Sequence, residues 1–303
     1  MATQKLTPLE VFDARIVQTP LRGLLRNMDA ELGRRFTQAM GSTDRQAERN
    51  SSLFFMMLRF TRNSFEAISF LCSDEDDAPK RKREFSLLLA PTNRQLLDLL
   101  FTLVYMLDDF PARSVDYERS AYRQLREEYE KHQGRYGTDP KWQIRLADMR
   151  EFQQRMETYL SITPEQKGNP ATISYWYTPY RLIKMKKPTK SQPFIQHLER
   201  WLYGETSAQA HLNAAGLLTV AGFVISDLAP DEQQKAMIDR NFERYRSRHF
   251  CRSLTTVLAI GSEIDTFCSL NNREPLSRLW VLLSGYAPEA DDVYKLRYQG
   301  MLT

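Results

Sequence analysis

Arg59, Arg62, Asn63 and Glu66 are the residues of this chain whose types and spacing most directly suggest chemistry. They interrupt residues 51–71, a predicted helix that is otherwise apolar on almost every side. An all-apolar helix is typical of a core, where a charged side chain has to be paired or hydrogen-bonded. At 3.6 residues per turn, Arg59 and Glu66 lie nearly in line, and Arg62 precedes Glu66 by one turn. The spacing predicts a direct Arg62–Glu66 pair.

Two interpretations of this charged stripe are open. The first is a buried ion-pair network that fixes the register of the helix in the core. The second is an anion or substrate site, in which an arginine binds a carboxylate or a phosphate with two parallel hydrogen bonds.

A second group of polar residues is Tyr203, Ser207 and His211, which recur every four residues along one side of a predicted helix. His211 is a candidate general base because imidazole titrates near neutral pH. The alternative is a core histidine bonded to a glutamate or a tyrosine hydroxyl. The sequence has no nucleophile elbow, so Ser207 and His211 do not predict a hydrolase triad.

The segments LRFTRNSFEAISFL (58–71) and WLYGETSAQAHL (201–212) together resemble a bacterial family of all-helical proteins without an assigned function. In that family an early helix carries Arg and Glu about seven residues apart, and a later helix carries a Tyr-x3-Ser-x3-His element. The two segments cover less than a tenth of the chain. The resemblance implies a helical fold and a shared polar centre in which Arg59, Glu66 and His211 meet.

These observations give two sets of candidate site residues. The candidate catalytic residues are Arg59, Glu66 and His211. The candidate ligand-binding residues are Arg62, Asn63, Tyr203 and Ser207.

Nucleic-acid binding is an alternative that depends on different residues. Arg244 and His249 fit the loose Arg-x4–6-His pattern of small helical ribonucleases, and Arg126 with His132 fits it too. Tyrosines and a tryptophan over 175–180 precede a set of basic residues that includes Lys184, Lys186 and Lys187. Aromatic rings stack on unpaired bases, and lysines neutralise phosphates. In the opposing interpretation these rings pack on the helices and the lysines are solvated.

Composition and charge narrow the class of protein. Hydrophobic residues make up 42% of the 303 residues, charged residues make up 26%, and the net charge is only +4. This profile is typical of a soluble globular protein, not of one whose entire surface binds nucleic acid. Three widely spaced cysteines and no signal-peptide-like start predict a cytoplasmic protein. The sequence predicts no membrane span, no metal site and no cofactor.

Helical periodicity dominates the whole chain. Amphipathic or apolar helices are predicted over about 8–40, 51–72, 92–109, 114–134, 139–160, 194–227, 231–270 and 275–284. Two of these helices, 51–72 and 92–109, are so apolar that they need neighbours on every side. The sequence therefore predicts an all-α fold, a single bundle of about seven to nine helices in one domain over 1–303. A split into two helical subdomains within 164–193 is the alternative, because that stretch has no clear period.

The leading functional prediction is a binding or regulatory protein with a buried Arg/Glu/His polar centre. Its partner would be a protein or a small anionic ligand. One alternative is a small-molecule enzyme or sensor that uses the same centre, and the other is a nucleic-acid-binding protein or helical ribonuclease.

Overall fold

The computed structural model describes residues 15–40, 44–72, 85–185, 189–211, 214, 216–218 and 231–302. Within these ranges the regular structure is helical and contains no strand, so the all-α prediction is confirmed. The helices are α1 Arg15–Ala39, α2 Arg45–Cys72, α3 Leu89–Leu107, α4 Phe110–Tyr136, α5 Gln143–Tyr159, α6 Pro164–Gly168, α7 Pro179–Ile183, α8 Gln192–Leu198, α9 Gly204–Ala210, α10 Glu232–Cys268, α11 Arg273–Ser284, α12 Pro288–Val293 and α13 Gln299–Leu302. Two π-helical turns, Glu199–Tyr203 and Tyr294–Tyr298, precede α9 and α13.

The chain divides into two compact units. Unit 1 comprises Met1–Val104 and Pro193–Thr303, and unit 2 comprises Tyr105–Gln192. The boundary after Gln192 lies inside the 164–193 interval considered above, and the boundary after Val104 lies inside α3. The organisation as one domain stays a prediction.

Helix α10 is the central element of unit 1. Asp231 caps its first turn by accepting a hydrogen bond from the Gln234 backbone N–H (2.7 Å), and every residue from Arg252 to Asp265 is buried. Helices α1, α2 and α11 all pack against it, which buries its middle section on all sides. Polar side chains in this section must therefore find partners inside the unit.

Unit 2 is built on the antiparallel pair α4 and α5. Their shared core contains Tyr122, Leu160, Ile162 and Ile173. The Tyr122 hydroxyl donates to the Glu157 carboxylate at 3.0 Å, so the buried phenol is satisfied. Segment 173–177 lies against α4, with Ile173 in this core and the Trp176 backbone N–H bonded to the Ser120 hydroxyl, while Tyr175 and Tyr177 are exposed.

Two details of the predicted fold are wrong. The described ranges contain more than the expected seven to nine helices, because short helices begin at Thr163-Pro164, Thr178-Pro179 and Ala287-Pro288, where proline occupies the first helical position. Helix α2 is also not buried on every side. Its Met56, Phe60 and Phe70 side chains are 61%, 42% and 60% exposed.

Candidate functional site: the polar cluster of helix α9

The charged stripe of α2 finds its partners on α1. Arg59 donates to both oxygens of Asp29 (3.2 and 3.0 Å), and Arg62 donates to the same carboxylate at 2.6 Å. Glu66 forms an ion pair with Arg22 at 2.8 Å. The predicted Arg62–Glu66 pair is therefore wrong, because each of these side chains is bound to an oppositely charged residue of α1. Asp29 is almost fully buried, so these contacts neutralise a charge that would otherwise be desolvated alone. They tie α1 to α2, and Asn63 is exposed beside them.

Tyr203, Ser207 and His211 converge on Arg94 of α3. The Arg94 guanidinium lies 3.8 Å from the centre of the Tyr203 ring and donates to the Ser207 hydroxyl through Nη1. The same Nη1 lies 3.4 Å from His211 Nε2. Arg94 Nε donates to Asp98, one turn along α3, at 3.2 Å. One guanidinium thus connects α3 to the sides of α9 and the π-helical turn before it.

The outer edge of this arrangement is open to solvent. His211 is exposed, and the Asp98 side chain is 40% exposed. Partial burial raises the pKa of Asp98, while Arg94 and His211 act in the opposite direction. A polar ligand or a partner side chain could therefore reach Asp98 and His211 without opening the core.

A buried set of hydrogen bonds lies on the opposite side of α9. His249 of α10 bonds through Nε2 to Gln209 Oε1 (2.7 Å) and through Nδ1 to Asn93 Nδ2 (3.2 Å). Because the glutamine oxygen only accepts and the Asn93 amide nitrogen only donates, His249 is the neutral tautomer with its proton on Nε2. Burial, with Arg252 and Arg248 nearby, lowers the pKa of His249 to about 3. This histidine is therefore neutral at physiological pH.

Glu205 connects α9 to two arginines of α10. Its carboxylate accepts from Arg252 Nη2 at 2.7 Å and from Arg248 Nη1 at 3.2 Å. The Arg252 side chain is only 4% exposed, yet its Nε and Nη1 have no hydrogen-bond partner among the described residues. A buried N–H without a partner costs about 1–3 kcal/mol. Arg252 is thus an incompletely satisfied buried cation next to a half-exposed carboxylate.

We call these residues together the α9 polar cluster. Its members are Arg94, Asp98, Tyr203, Glu205, Ser207, Gln209, His211, Asn93, Arg248, His249 and Arg252. The spacing of α9 explains its two faces: residues 205 and 209, four apart, face α10, and residues 207 and 211, also four apart, face α3. A π-helical turn immediately precedes it, and such turns often occur at functional sites.

The residues of the predicted polar centre therefore belong to two separate groups of contacts. Arg59, Arg62 and Glu66 contact α1, whereas Tyr203, Ser207 and His211 contact Arg94, and no contact between the described side chains joins the first group to His211. Arg94 and Asp98 were missed by the sequence reasoning. The sequence feature that could have identified them is an Arg and an Asp four residues apart inside a nearly all-apolar helix.

The nucleic-acid candidates lie in different environments. Arg244 is exposed on α10, but His249 is 1% exposed and both of its ring nitrogens are engaged. A ribonuclease of the Arg-x4-His type would need an accessible imidazole, so this geometry does not favour it. Lys184 is exposed and bonds to the Tyr180 hydroxyl. Lys186 and Lys187 lie outside the described residues.

Two cysteines of unit 1, Cys251 and Cys268, are poorly suited to act as nucleophiles. Burial raises the pKa of Cys251 to about 11 and that of Cys268 to about 12, so both thiols are protonated at neutral pH. Over the described ranges, no three His, Cys, Asp or Glu side chains are grouped as metal ligands. None of the helices described above combines the length and the hydropathy that a bilayer crossing needs.

Comparison with known proteins gives no information about the family or the function of this chain. No family model matches the chain, and no curated protein or solved structure does so either. The resemblance to a bacterial helical family stays a prediction.

Proposed function

We propose that this protein is a non-enzymatic binding or regulatory protein, and that helix α9 is the element that responds to its ligand. One observation carries the proposal. Among the described residues, the side-chain hydrogen bonds of Glu205, Ser207, Gln209 and His211 to neighbouring elements all go to side chains of α3 or α10. A short helix docked by polar contacts can be released by a competitor for those contacts, whereas one docked by a large apolar face cannot.

The ligand that fits this cluster is an anion such as a carboxylate or a phosphate. Arg248 and Arg252 both donate to the Glu205 carboxylate, and two N–H groups of Arg252 have no hydrogen-bond partner in the described part of the chain. An anion with three or four oxygens would satisfy more of these donors than Glu205 does. Binding would then break the link between α9 and α10, so that anion binding and α9 release are coupled.

The catalytic alternative has less support. An enzyme needs a base or nucleophile that is active near neutral pH. His249 has a pKa of about 3, and the Cys251 and Cys268 thiols have pKa values of about 11 and 12. Arg59 and Glu66 are paired with carboxylate and guanidinium groups of α1, and no contact between the described side chains joins them to His211, the candidate base, which lies 3.4 Å from Arg94 Nη1.

We also propose a cytoplasmic location, a bacterial source and a single multi-helix bundle. Cys72, Cys251 and Cys268 form no disulfide with one another, which agrees with a reducing compartment. The family resemblance supports the bacterial source and the helical bundle.

The replacement Glu205→Gln tests the proposal, with inorganic phosphate as the probe. It removes the internal competitor while keeping the side-chain shape, so we expect phosphate to bind about tenfold more tightly and to raise the melting temperature further than in the wild type. The matched control is Glu243→Gln, which removes an exposed carboxylate on α10 that pairs with Arg246.

Hydrogen exchange supplies the second readout. Saturating phosphate is expected to accelerate amide exchange over residues 204–210 of the wild type and to leave residues 254–262 unchanged. If wild type, Glu205→Gln and Glu243→Gln respond identically to phosphate, or if residues 204–210 become protected, α9 is not the responding element.

A further inference from the structure

Unit 2 contains a surface pocket that is independent of the α9 polar cluster. Its volume is about 250 Å³, and its walls include Tyr105, Arg113, Arg119, Trp176 and Tyr177. We call it the Trp176 pocket. We propose that it binds a small aromatic carboxylate, meaning a planar ring that carries one acidic group.

The pocket is held in shape by contacts between segment 173–177 and α4. The Trp176 backbone N–H donates to the Ser120 hydroxyl at 2.6 Å, and Arg123 Nη1 donates to the Ile173 carbonyl at 2.6 Å. Arg123 also lies 3.7 Å from the centre of the Tyr175 ring, whose hydroxyl donates to Glu127. A wall fixed at residues 173, 175 and 176 needs little ordering when a ligand binds, which favours affinity.

The aromatic walls select for a ring. Trp176 lies edge-on to Tyr105 (ring centroids 5.4 Å apart), and Tyr177 lies edge-on to Tyr105 at 5.6 Å. Edge-to-face and offset contacts are the favoured geometries between aromatic rings. Tyr177 is 42% exposed, so its ring retains surface that a ligand can cover.

Arg119 is the side chain that selects for an acid. It lines the pocket, and in the described part of unit 2 its guanidinium makes one long hydrogen bond, from Nη2 to the Leu160 carbonyl at 3.5 Å. Arg113 is already engaged, since it stacks on Tyr105 at 4.0 Å and lies 3.6 Å from Asp108. Arg119 is therefore the cation that can take up the acidic group of a ligand.

The charges around the pocket favour a ligand with a single acidic group. Residues 105–192 contain 16 Lys and Arg against 12 Asp and Glu, so unit 2 carries a charge of +4 that equals the net charge of the whole chain. This excess attracts anions in general. Asp116, however, also lines the pocket and is exposed, so a second negative charge on the ligand would be repelled there. A ring carboxylate fits this balance better than a phosphate dianion.

Isothermal titration calorimetry on the full chain tests the proposal with indole-3-carboxylate as the probe. Benzamide lacks the charge, acetate lacks the ring, and guanosine monophosphate carries a phosphate in place of the carboxylate. We expect indole-3-carboxylate to bind at least tenfold more tightly than any of these three. Equal affinity for all four probes, no binding of the carboxylate, or tighter binding of the nucleotide would overturn the proposal.

Three variants and one control locate the binding to the pocket. Arg119→Gln should weaken binding at least tenfold, and Trp176→Phe, which makes one aromatic wall of the pocket smaller, should weaken it about fivefold. Tyr177→Ala removes an exposed wall residue, so it tests the pocket without risk to folding and should also weaken binding severalfold. Arg150→Gln, at an exposed position of α5, should bind like the wild type. Unchanged affinity in both Arg119→Gln and Tyr177→Ala would refute the assignment.

Discussion

Acidification should destabilise the protein through His249, which the fold holds in its neutral form. Its Nδ1 accepts a hydrogen bond from the Asn93 amide, and its ring is almost fully buried beside Arg248 and Arg252. Protonation of Nδ1 would therefore remove an acceptor, desolvate a charge and place it near two other cations. The folded state resists this protonation, whereas the unfolded chain does not.

The magnitude follows from the two pKa values of His249. They are 6.5 for an unperturbed histidine and about 3 in the folded protein. The stabilisation is complete above the unfolded pKa and is lost as the pH falls towards the folded pKa. Each pKa unit corresponds to about 1.4 kcal/mol, so acidification to about pH 5 should cost roughly 2 kcal/mol through this residue.

The assay is urea denaturation of wild type and His249→Gln at about pH 7 and pH 5. Glutamine retains a polar side chain able to donate to Gln209, but it does not titrate. The pH-dependent loss in the free energy of unfolding should be about 2 kcal/mol larger in the wild type than in the variant. An equal loss in both proteins would refute the conclusion that His249 is buried and neutral.

Three further perturbations test other contacts. Glu263→Gln should lower the free energy of unfolding by about 3 kcal/mol, because Glu263 is buried and its ion pair with Arg297 would be broken; a cost below about 1 kcal/mol in urea denaturation would contradict this. Asp29→Asn should cost about 2 kcal/mol in the same assay, because charge-assisted hydrogen bonds to two arginines are lost, and an unchanged midpoint would argue against this contact. Iodoacetamide at about pH 8 should label Cys251 and Cys268 far more slowly in the native than in the urea-unfolded protein, as read by mass spectrometry, and equal rates would contradict their raised pKa values.

The helices could be predicted from the sequence because their signals are local. The predicted helix starts at 139 and 231 are close to the observed ones, because Asp139 and Asp231 each accept a hydrogen bond from a backbone N–H in the first turn that follows. The four-residue spacing of Tyr203, Ser207 and His211 likewise predicted a shared side. Their common partner, Arg94, could not be identified from spacing, because it depends on which helices pack together.

The same limit applies to the charged stripe of α2. Its need for partners was predictable, since charges in an apolar helix must be neutralised. The partner Asp29 is 30 residues from Arg59. Asp29 could have been noticed in the sequence as an acidic residue beside the apolar positions Leu25, Met28 and Leu32 of α1. His249 shows the opposite case, because nothing in its sequence neighbourhood distinguishes a buried histidine from a catalytic one.

Native-state hydrogen exchange that compares α9 with the centre of α10 is the most direct test of the proposal that α9 responds to a ligand. Helix α9 is seven residues long and is docked by polar contacts, whereas residues 254–262 of α10 are buried throughout. We expect the amides of 204–210 to open in a separate step, at a free energy at least about 2 kcal/mol below that of 254–262. We also expect Glu205→Gln to lower the opening free energy of 204–210 and to leave that of 254–262 unchanged. A single shared opening free energy for both segments, unaffected by Glu205→Gln, would contradict the proposal that α9 is a separable, responsive element.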